Sequence, residues 1–306
     1  MFYTVTLPAT LWFFDKGKTD ERILFIDARN IFTQIDRAHR EFSAEHIQNI
    51  GVITQLQRGR RGKFVELVDR YFERGMEKLA ENRRRVEPVG ERLTEVLEVE
   101  AGRDAVADLL KEWAHLNDLT VRYQSYAAER GADETIECRN EAQRNLRETF
   151  TVFFERLHEN LKRLDKIVRQ TEKEQTATAN AADKRQTADR QTKALKTALE
   201  ELHREVKHAE SFFRHVEWLQ VRFPCAAYED VTGLCKLAAP AEVREQDFSL
   251  NPGRYVGVVI EEDGKTEEEF VQGILQMNDE LETLNAAAAR LESVISYNVK
   301  AIAGDL

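Results

Sequence analysis

Glycine and proline are scarce. The 306-residue chain holds 14 and 5 of them, about 6 % together against a usual value of about 12 %, and the tight turns of β-rich folds are built from these residues. That shortage excludes a barrel, a sandwich or a propeller. Cysteine is scarcer still: Cys138, Cys225 and Cys235 show no CxxC spacing and no histidine at ligand spacing, so neither a zinc site nor a disulfide framework is indicated, and a reducing, cytoplasmic interior is expected. No two glycines stand two positions apart, so GxGxxG, the shorter Gly-x-Gly loop and GxxxxGK[ST] are all missing and no phosphate cradle is encoded. Long apolar runs are missing too. Leu11–Phe14 is far short of the roughly 18 residues that span a bilayer and follows no signal-peptide pattern, so a soluble protein is expected. None of the seven histidines (His39, His46, His115, His158, His203, His208, His215) belongs to an HExxH motif; they read as surface or boundary residues.

Charge is what the chain has in excess. Charged residues make up 33 % of it and hydrophobic ones 42 %, the composition of long, solvated helices, so a mainly α fold is expected. The formal charge of −10 disfavours a surface wrapped in nucleic acid and leaves room only for local contacts with phosphate.

The first 36 residues differ from the rest. Phe2, Tyr3, Val5 and Leu11–Phe14 lead through the turn signal Asp15-Lys16-Gly17-Lys18 to the apolar run Ile23–Ile26, which predicts two strands joined by a turn. Both runs are continuously apolar rather than alternating, so each strand needs cover on both faces. A lone hairpin supplies none, which predicts the edge of a larger sheet lying outside this sequence. Ser43, as N-cap, followed by Ile47, Ile50 and Ile53 predicts a short helix ending near the basic run Arg58 to Lys63. A long helical region then reaches Phe223, with Arg83-Arg84-Arg85 ending one helical stretch before Pro88. Its two heptad stripes are Leu146, Phe150, Phe153, Leu157, Leu161, Leu164, Val168 and Leu195, Leu199, Leu202, Val206, Ala209, Phe213, Val216, which predict an antiparallel helical, coiled-coil arm. Glu172 to Lys193 contains no Leu, Ile, Val, Met or aromatic residue and reads as the solvated tip of that arm.

Pro224, Pro240 and Pro252 punctuate a connector, and Tyr255 to Ile260 suggests one short strand. Thr266 with Glu267, Glu268 and Glu269 marks a helix start. The stripe Phe270, Ile274, Met277, Leu281, Leu284, Ala288, Leu291 and Ile295 follows at alternating spacings of 4 and 3, a C-terminal coiled-coil helix that needs a partner, within the chain or on another protein. The chain thus divides into a strand pair (1–36), a short helix with a basic loop (37–62), a helical arm (63–223), a connector (224–263) and a terminal helix (264–306). No catalytic or metal-binding constellation can be assembled. Arg58, Arg60, Arg61 and Lys63 read either as a DNA-phosphate contact or as a solvated interhelical loop.

Three stretches resemble a known family. Leu7–Lys18 with Ile23–Arg29, and Asp36–Phe42 after them, resemble the closing hairpin and following segment of the modification (M) subunit of type I restriction-modification systems, which are adenine-N6 DNA methyltransferases. Tyr228–Lys236 and Ser249–Val258 resemble that family's C-terminal signature, followed by its paired-helix tail. The resemblance covers roughly residues 1 to 57 and 224 to 301, leaving 63–222 as a helical insertion. It implies that the hairpin is the remnant of a doubly wound methyltransferase sheet and that the terminal stripe docks the specificity subunit. It also implies that DNA is met through the complex and that S-adenosylmethionine serves the complete enzyme. The family's catalytic Asn-Pro-Pro-Phe/Tyr motif precedes the hairpin, and the five prolines here include no Pro-Pro pair. A C-terminal part, truncated or split from an upstream methyltransferase half, is therefore expected, inactive alone and without bound cofactor. The alternative is a non-catalytic coiled-coil adaptor or regulator that retains the hairpin.

Overall fold

The computed structural model describes residues 9–36, 39–97, 100–130, 135–178, 182–258 and 267–303, with backbone alone at 96, 172, 174–178, 182–194, 267–273, 301 and 303. In chain order the elements are β1 (Ile23–Ile26), β2 (Thr33–Gln34), β3 (Arg40–Glu41), α1 (Ala44–Gln57), α2 (Gly62–Val96), α3 (Glu100–Glu129), α4 (Ile136–Thr178), α5 (Ala182–Arg222), β4 (Cys235–Ala238), α6 (Pro240–Glu245), a 3-10 turn at Pro252–Arg254, and α7 (Glu267–Ala303). The chain forms two compact units, one up to Gly257 and one from Val258 onward.

The mainly helical fold read from composition is the fold observed. Both stripes of the arm are buried lines, on α4 and α5, but the arm has four helices rather than two: α2 packs on α5 and α3, and α4 packs on α3 and α5. Phe64, Phe72, Leu79 and Leu93 of α2 and Leu109, Trp113 and Leu116 of α3 complete the core. Its centre is aromatic, with Phe150 and Phe213 stacked at 4.3 Å and Phe72 and Phe154 against Phe213. Gly75 makes that possible, because a Cβ there would meet the Phe213 ring at 2.5 Å. Pro88 does not end its helix as expected; α2 runs through it to Val96. Proline leaves the Arg84 carbonyl without its helical donor, a cost of about 3 kcal/mol, and burial of Val86, Val89 and Leu93 around it offsets that at about 1.5–3 kcal/mol per side chain. The side chains of the expected arm tip lie outside the described ones, apart from Lys173.

The expected antiparallel strand pair near the N-terminus is present, but the second strand comes from the connector. β1 pairs with β4 in the register Ile23↔Ala238 to Ile26↔Cys235, whereas 9–15 form no strand and Leu11, Trp12, Phe13 and Phe14 are 61–90 % exposed. Phe2, Tyr3 and Val5 of the expected first strand lie outside the described residues. The two-sided cover inferred from the apolar run is real, and for β1 this chain supplies it. Phe25 points to Val243, Tyr255 and Val256, while Leu24 and Ile26, on the other face by the period-2 geometry of a strand, pack on the bundle core. Leu11–Phe14 has no such cover among the described residues. The strand expected at Tyr255–Ile260 is absent over its described part, because Tyr255 closes the 3-10 turn with its N–H on the Pro252 carbonyl; Val259 and Ile260 lie outside the described residues.

The short helix forms as its N-cap predicts. Ser43 Oγ accepts the His46 N–H at 3.2 Å, and His46 Nδ1 accepts the Ser43 N–H at 3.2 Å, a reciprocal box in which histidine stands where Glu or Gln is usual. In the second unit, α7 is a single helix whose side chains from Ile274 to Lys300 are all exposed.

Candidate functional site

Three surfaces have candidate roles: the basic loop, the module around β1 and β4, and the α7 face. The loop begins where α1 stops in a Schellman turn. Gly59, at φ +73°, donates its N–H to the Leu56 carbonyl, and Arg60 donates to Gln55, both at 2.9 Å, satisfying carbonyls that the helix end orphans. The four cations then diverge. Arg58 pairs with Asp15 at 3.2 Å, Arg60 donates to Gln55 Oε1 at 3.3 Å and Lys63 pairs with Glu66 at 2.8 Å; all three are exposed. Arg61 is half-buried and faces the bundle. Its guanidinium donates to the Cys225 carbonyl at 2.8 Å, the Ala226 carbonyl at 3.0 Å and Glu137 at 2.7 Å, joining the entry of the bundle to its exit. Asn140 reinforces the junction with a 2.7 Å bond to the Pro224 carbonyl. Arg58, Arg60 and Lys63 therefore keep exposed side chains, whereas Arg61 is occupied by the fold.

The module brings together segments more than 200 positions apart. Phe25 and Tyr255 stack at 3.8 Å with rings 5° from parallel. Asp27, largely buried, donates its N–H to the Leu234 carbonyl at 2.8 Å and is gripped by Arg29 through two oxygens at 2.6 and 2.9 Å. Burial pushes the Asp27 carboxyl up, but the hydrogen bonds from Arg29 outweigh it and hold it below the usual carboxylate range. Gly253 lies under the same arginine, where a Cβ would come within 2.8 Å of the guanidinium. Leu11, Trp12, Phe13 and Phe14 are also exposed. Isolated exposed apolar residues are unremarkable, but four large ones in sequence form a patch of the kind that marks an interaction site.

On α7 the expected partner-binding residues Ile274, Met277, Leu281, Leu284, Leu291 and Ile295 are 47–64 % exposed, and Ala288 is exposed with them; the Phe270 side chain lies outside the described ones. Val299 and Ile302, at 59 and 87 %, lengthen the apolar face beyond the stripe read from the sequence.

Sequence reasoning missed two buried polar clusters, for which spacing carries no signal because their members come from different helices. In one, Tyr71 donates to Asn49 Oδ1 at 2.8 Å, Asn49 Nδ2 meets His215 Nδ1 at 3.1 Å, and the His46 ring lies 5.3 Å from that of His215. Burial, then the neighbouring His46, lowers His215 to about 4, with Glu45 opposing; burial lowers His46 too, again against Glu45. In the other, Asp69 on α2 accepts from Tyr126, Arg139 and Gln143 and pairs with Arg130. These clusters fix helix positions. Among the described residues no three His, Cys, Asp or Glu side chains are placed to hold a metal ion. No described helix is long and apolar enough to cross a membrane.

The described residues do not fit S-adenosylmethionine. Two surface clefts are ringed by charged side chains of the bundle, Asp165, Arg169, Lys173, Lys196 and Glu200 in one and Asp108, Lys111, Arg156 and Glu159 among others in the second. β1 runs into Asp27 and Arg29, which are bonded to each other, rather than into a glycine turn that would admit a nucleoside.

Comparison with known proteins gives short matches. The chain is 43 % identical over 53 residues, 16 % of its length, to the Type I restriction enzyme MjaIX methylase subunit of Methanocaldococcus jannaschii, of which that stretch is 10 %. It is 36 % identical over 72 residues, 24 % of its length, to the Type I restriction enzyme HindI methylase subunit of Haemophilus influenzae, of which that stretch is 16 %. The match thus spans a small part of each relative. No solved structure matches. The family model of the N-6 DNA methylases matches residues 1–71, which take in β1, Asp27, Arg29, α1 and the whole basic loop.

Proposed function

We propose that this chain works in type I adenine-N6 DNA modification as the part of a methylase subunit that docks the specificity subunit through α7, with target DNA met through the assembled complex. The observation that carries the reading is the pairing of the methylase match over residues 1–71 with an exposed heptad face on α7. A helix with more than three heptads of apolar residues in water gains most by burying them against a second helix. In this reading the Leu11–Phe14 segment joins the catalytic portion, which holds S-adenosylmethionine and flips out the adenine. The chain's own residues supply attachment: α7 for the specificity subunit, and Arg58, Arg60 and Lys63 for phosphates. An adaptor that merely retains the strand segment is the competing reading, and the sequence similarity to two methylase subunits favours the first.

The test is co-purification of the full chain with the specificity subunit of the same system, for the wild type and for Leu281→Ala with Leu284→Ala. Loss of the complex at an unchanged melting temperature supports docking. A fall in melting temperature of the free chain would assign the stripe to its own core, and an undiminished complex would place docking elsewhere.

A further inference from the structure

Resting on the docking reading, we infer that the partner helix received by α7 carries lysine or arginine beside its own apolar stripe. Charge is distributed unevenly around α7. With the stripe at the a and d positions of a heptad, Ile274 and Leu281 being a and Met277 and Leu284 d, the residues that border the seam are those just before each a and just after each d. Among the described side chains two of these are charged, Glu280 and Glu292, both acidic and both exposed. The basic residues Arg290 and Lys300 fall on the opposite side of the helix. The remaining bordering positions with described side chains, Asn278, Asn285, Ala287, Val294 and Val299, carry no charge.

Border charges select partners because they face each other across a coiled-coil seam, and like charges there are repulsive. In a parallel, in-register pair with a second copy of α7, Glu280 would face Asn285 and Glu292 would face Ala287, with no cation at the seam. The remaining charge follows the same sign: Asp279 and Glu282 flank the first half of the helix, and no cation precedes Arg290. A basic-bordered helix meets this face with attraction, whereas self-pairing leaves both glutamates without a cation. Apolar burial supplies the affinity, and the glutamates decide what is admitted.

The test uses the full chain and two synthetic helices that share one apolar heptad stripe, one bordered by lysine and the other by glutamate. At low salt the lysine-bordered helix is expected to bind roughly tenfold more tightly, from two exposed pairs each contributing about threefold with like-charge repulsion in the other helix. Raising the salt should narrow the difference, and Glu280→Lys with Glu292→Lys should reverse the preference. Equal binding of the two helices, no binding of either, or a preference untouched by the double substitution overturns the inference. The specificity subunit is then tested separately: if the lysine-bordered helix is preferred while that subunit fails to bind, the docking reading falls and the basic-partner inference stands.

Discussion

Replacing Tyr255 by alanine should release the β1–β4 module from a bundle that stays folded. Tyr255 is 7 % exposed and stacks on Phe25, itself 4 % exposed, in a cluster whose other buried members are Ala238, Val243 and Val256. Removing a large buried side chain costs about 3–5 kcal/mol. Breaking the ring stacking adds about 0.5–1.5 kcal/mol, and the Tyr255 hydroxyl also donates to the Ser249 carbonyl. The cluster lies near the surface, where collapse is easier, so about 3–4 kcal/mol is expected. Whole domains are stable by about 5–15 kcal/mol, and a four-residue strand pair over five buried side chains holds only a fraction of that. Hydrogen exchange followed by mass spectrometry should therefore show weakened protection in peptides covering Ile23–Ile26 and Cys235–Ala238, with exchange across α2 and α5 unchanged and the main thermal transition shifted little. If exchange rose equally through α2 and α5, the module and the bundle would be one cooperative unit, and the separate release of the module would be refuted.

Acid should weaken the attachment of α1. His46 and His215 both take up protons less readily in the fold than the usual 6.5, so the unfolded chain binds more protons below that pH. The stability that neutral histidine provides is complete above 6.5 and is lost as pH falls towards about 4. Urea midpoints between pH 7 and 5, above the range where most carboxylates titrate, should fall in the wild type and fall less in His215→Gln; an equal fall in both would remove the histidine pair as the cause. In the basic loop, Arg61→Gln should lower the melting temperature, because the Cys225 and Ala226 carbonyls lose their donors at about 1–3 kcal/mol, whereas Arg58→Gln and Lys63→Gln should leave it nearly unchanged. In a complex with the specificity subunit and DNA, neutralising Arg58, Arg60 and Lys63 together should flatten the slope of log affinity against log salt by about 0.9 for each phosphate no longer neutralised. An unchanged slope would leave those three residues as solvated surface.

The legible parts of the fold are those written in local periodicity. α4, α5 and α7 follow from spacings of three and four, and α1 from Ser43, because a helix satisfies its backbone within itself and shows its packing face in sequence. The partner of β1 was not legible. A strand's hydrogen bonds go to another strand, and Cys235–Ala238, at 209 or more positions away, is a short run with no turn tying it to β1. The apolar run Ile23–Ile26 correctly announced cover on both faces but not its source. α2 and α3 were obscured by Pro88, a strong stop signal that the buried Val86, Val89 and Leu93 override. At the candidate site, the divergence of Arg61 from its three neighbours depends on carbonyls at 225 and 226, which no local pattern reveals.

That divergence ties the start of the helical bundle to its end. The bundle starts at Gly62 and its last helix ends at Arg222, and Arg61 touches the backbone just beyond that exit while holding Glu137 at the start of α4. Segments with adjacent ends can be placed in a loop of another fold at little cost, since the host strands need not separate to admit them. The base here closes across the bundle's foot, with α1 packed on α2 and α5 through Tyr71, Asn49 and His215 and β1 joined to β4. The family-model match ends at residue 71, in the third turn of α2. Arg61, with Asn140, thus fastens the two ends of the bundle largely through main-chain carbonyls, which remain when side chains change.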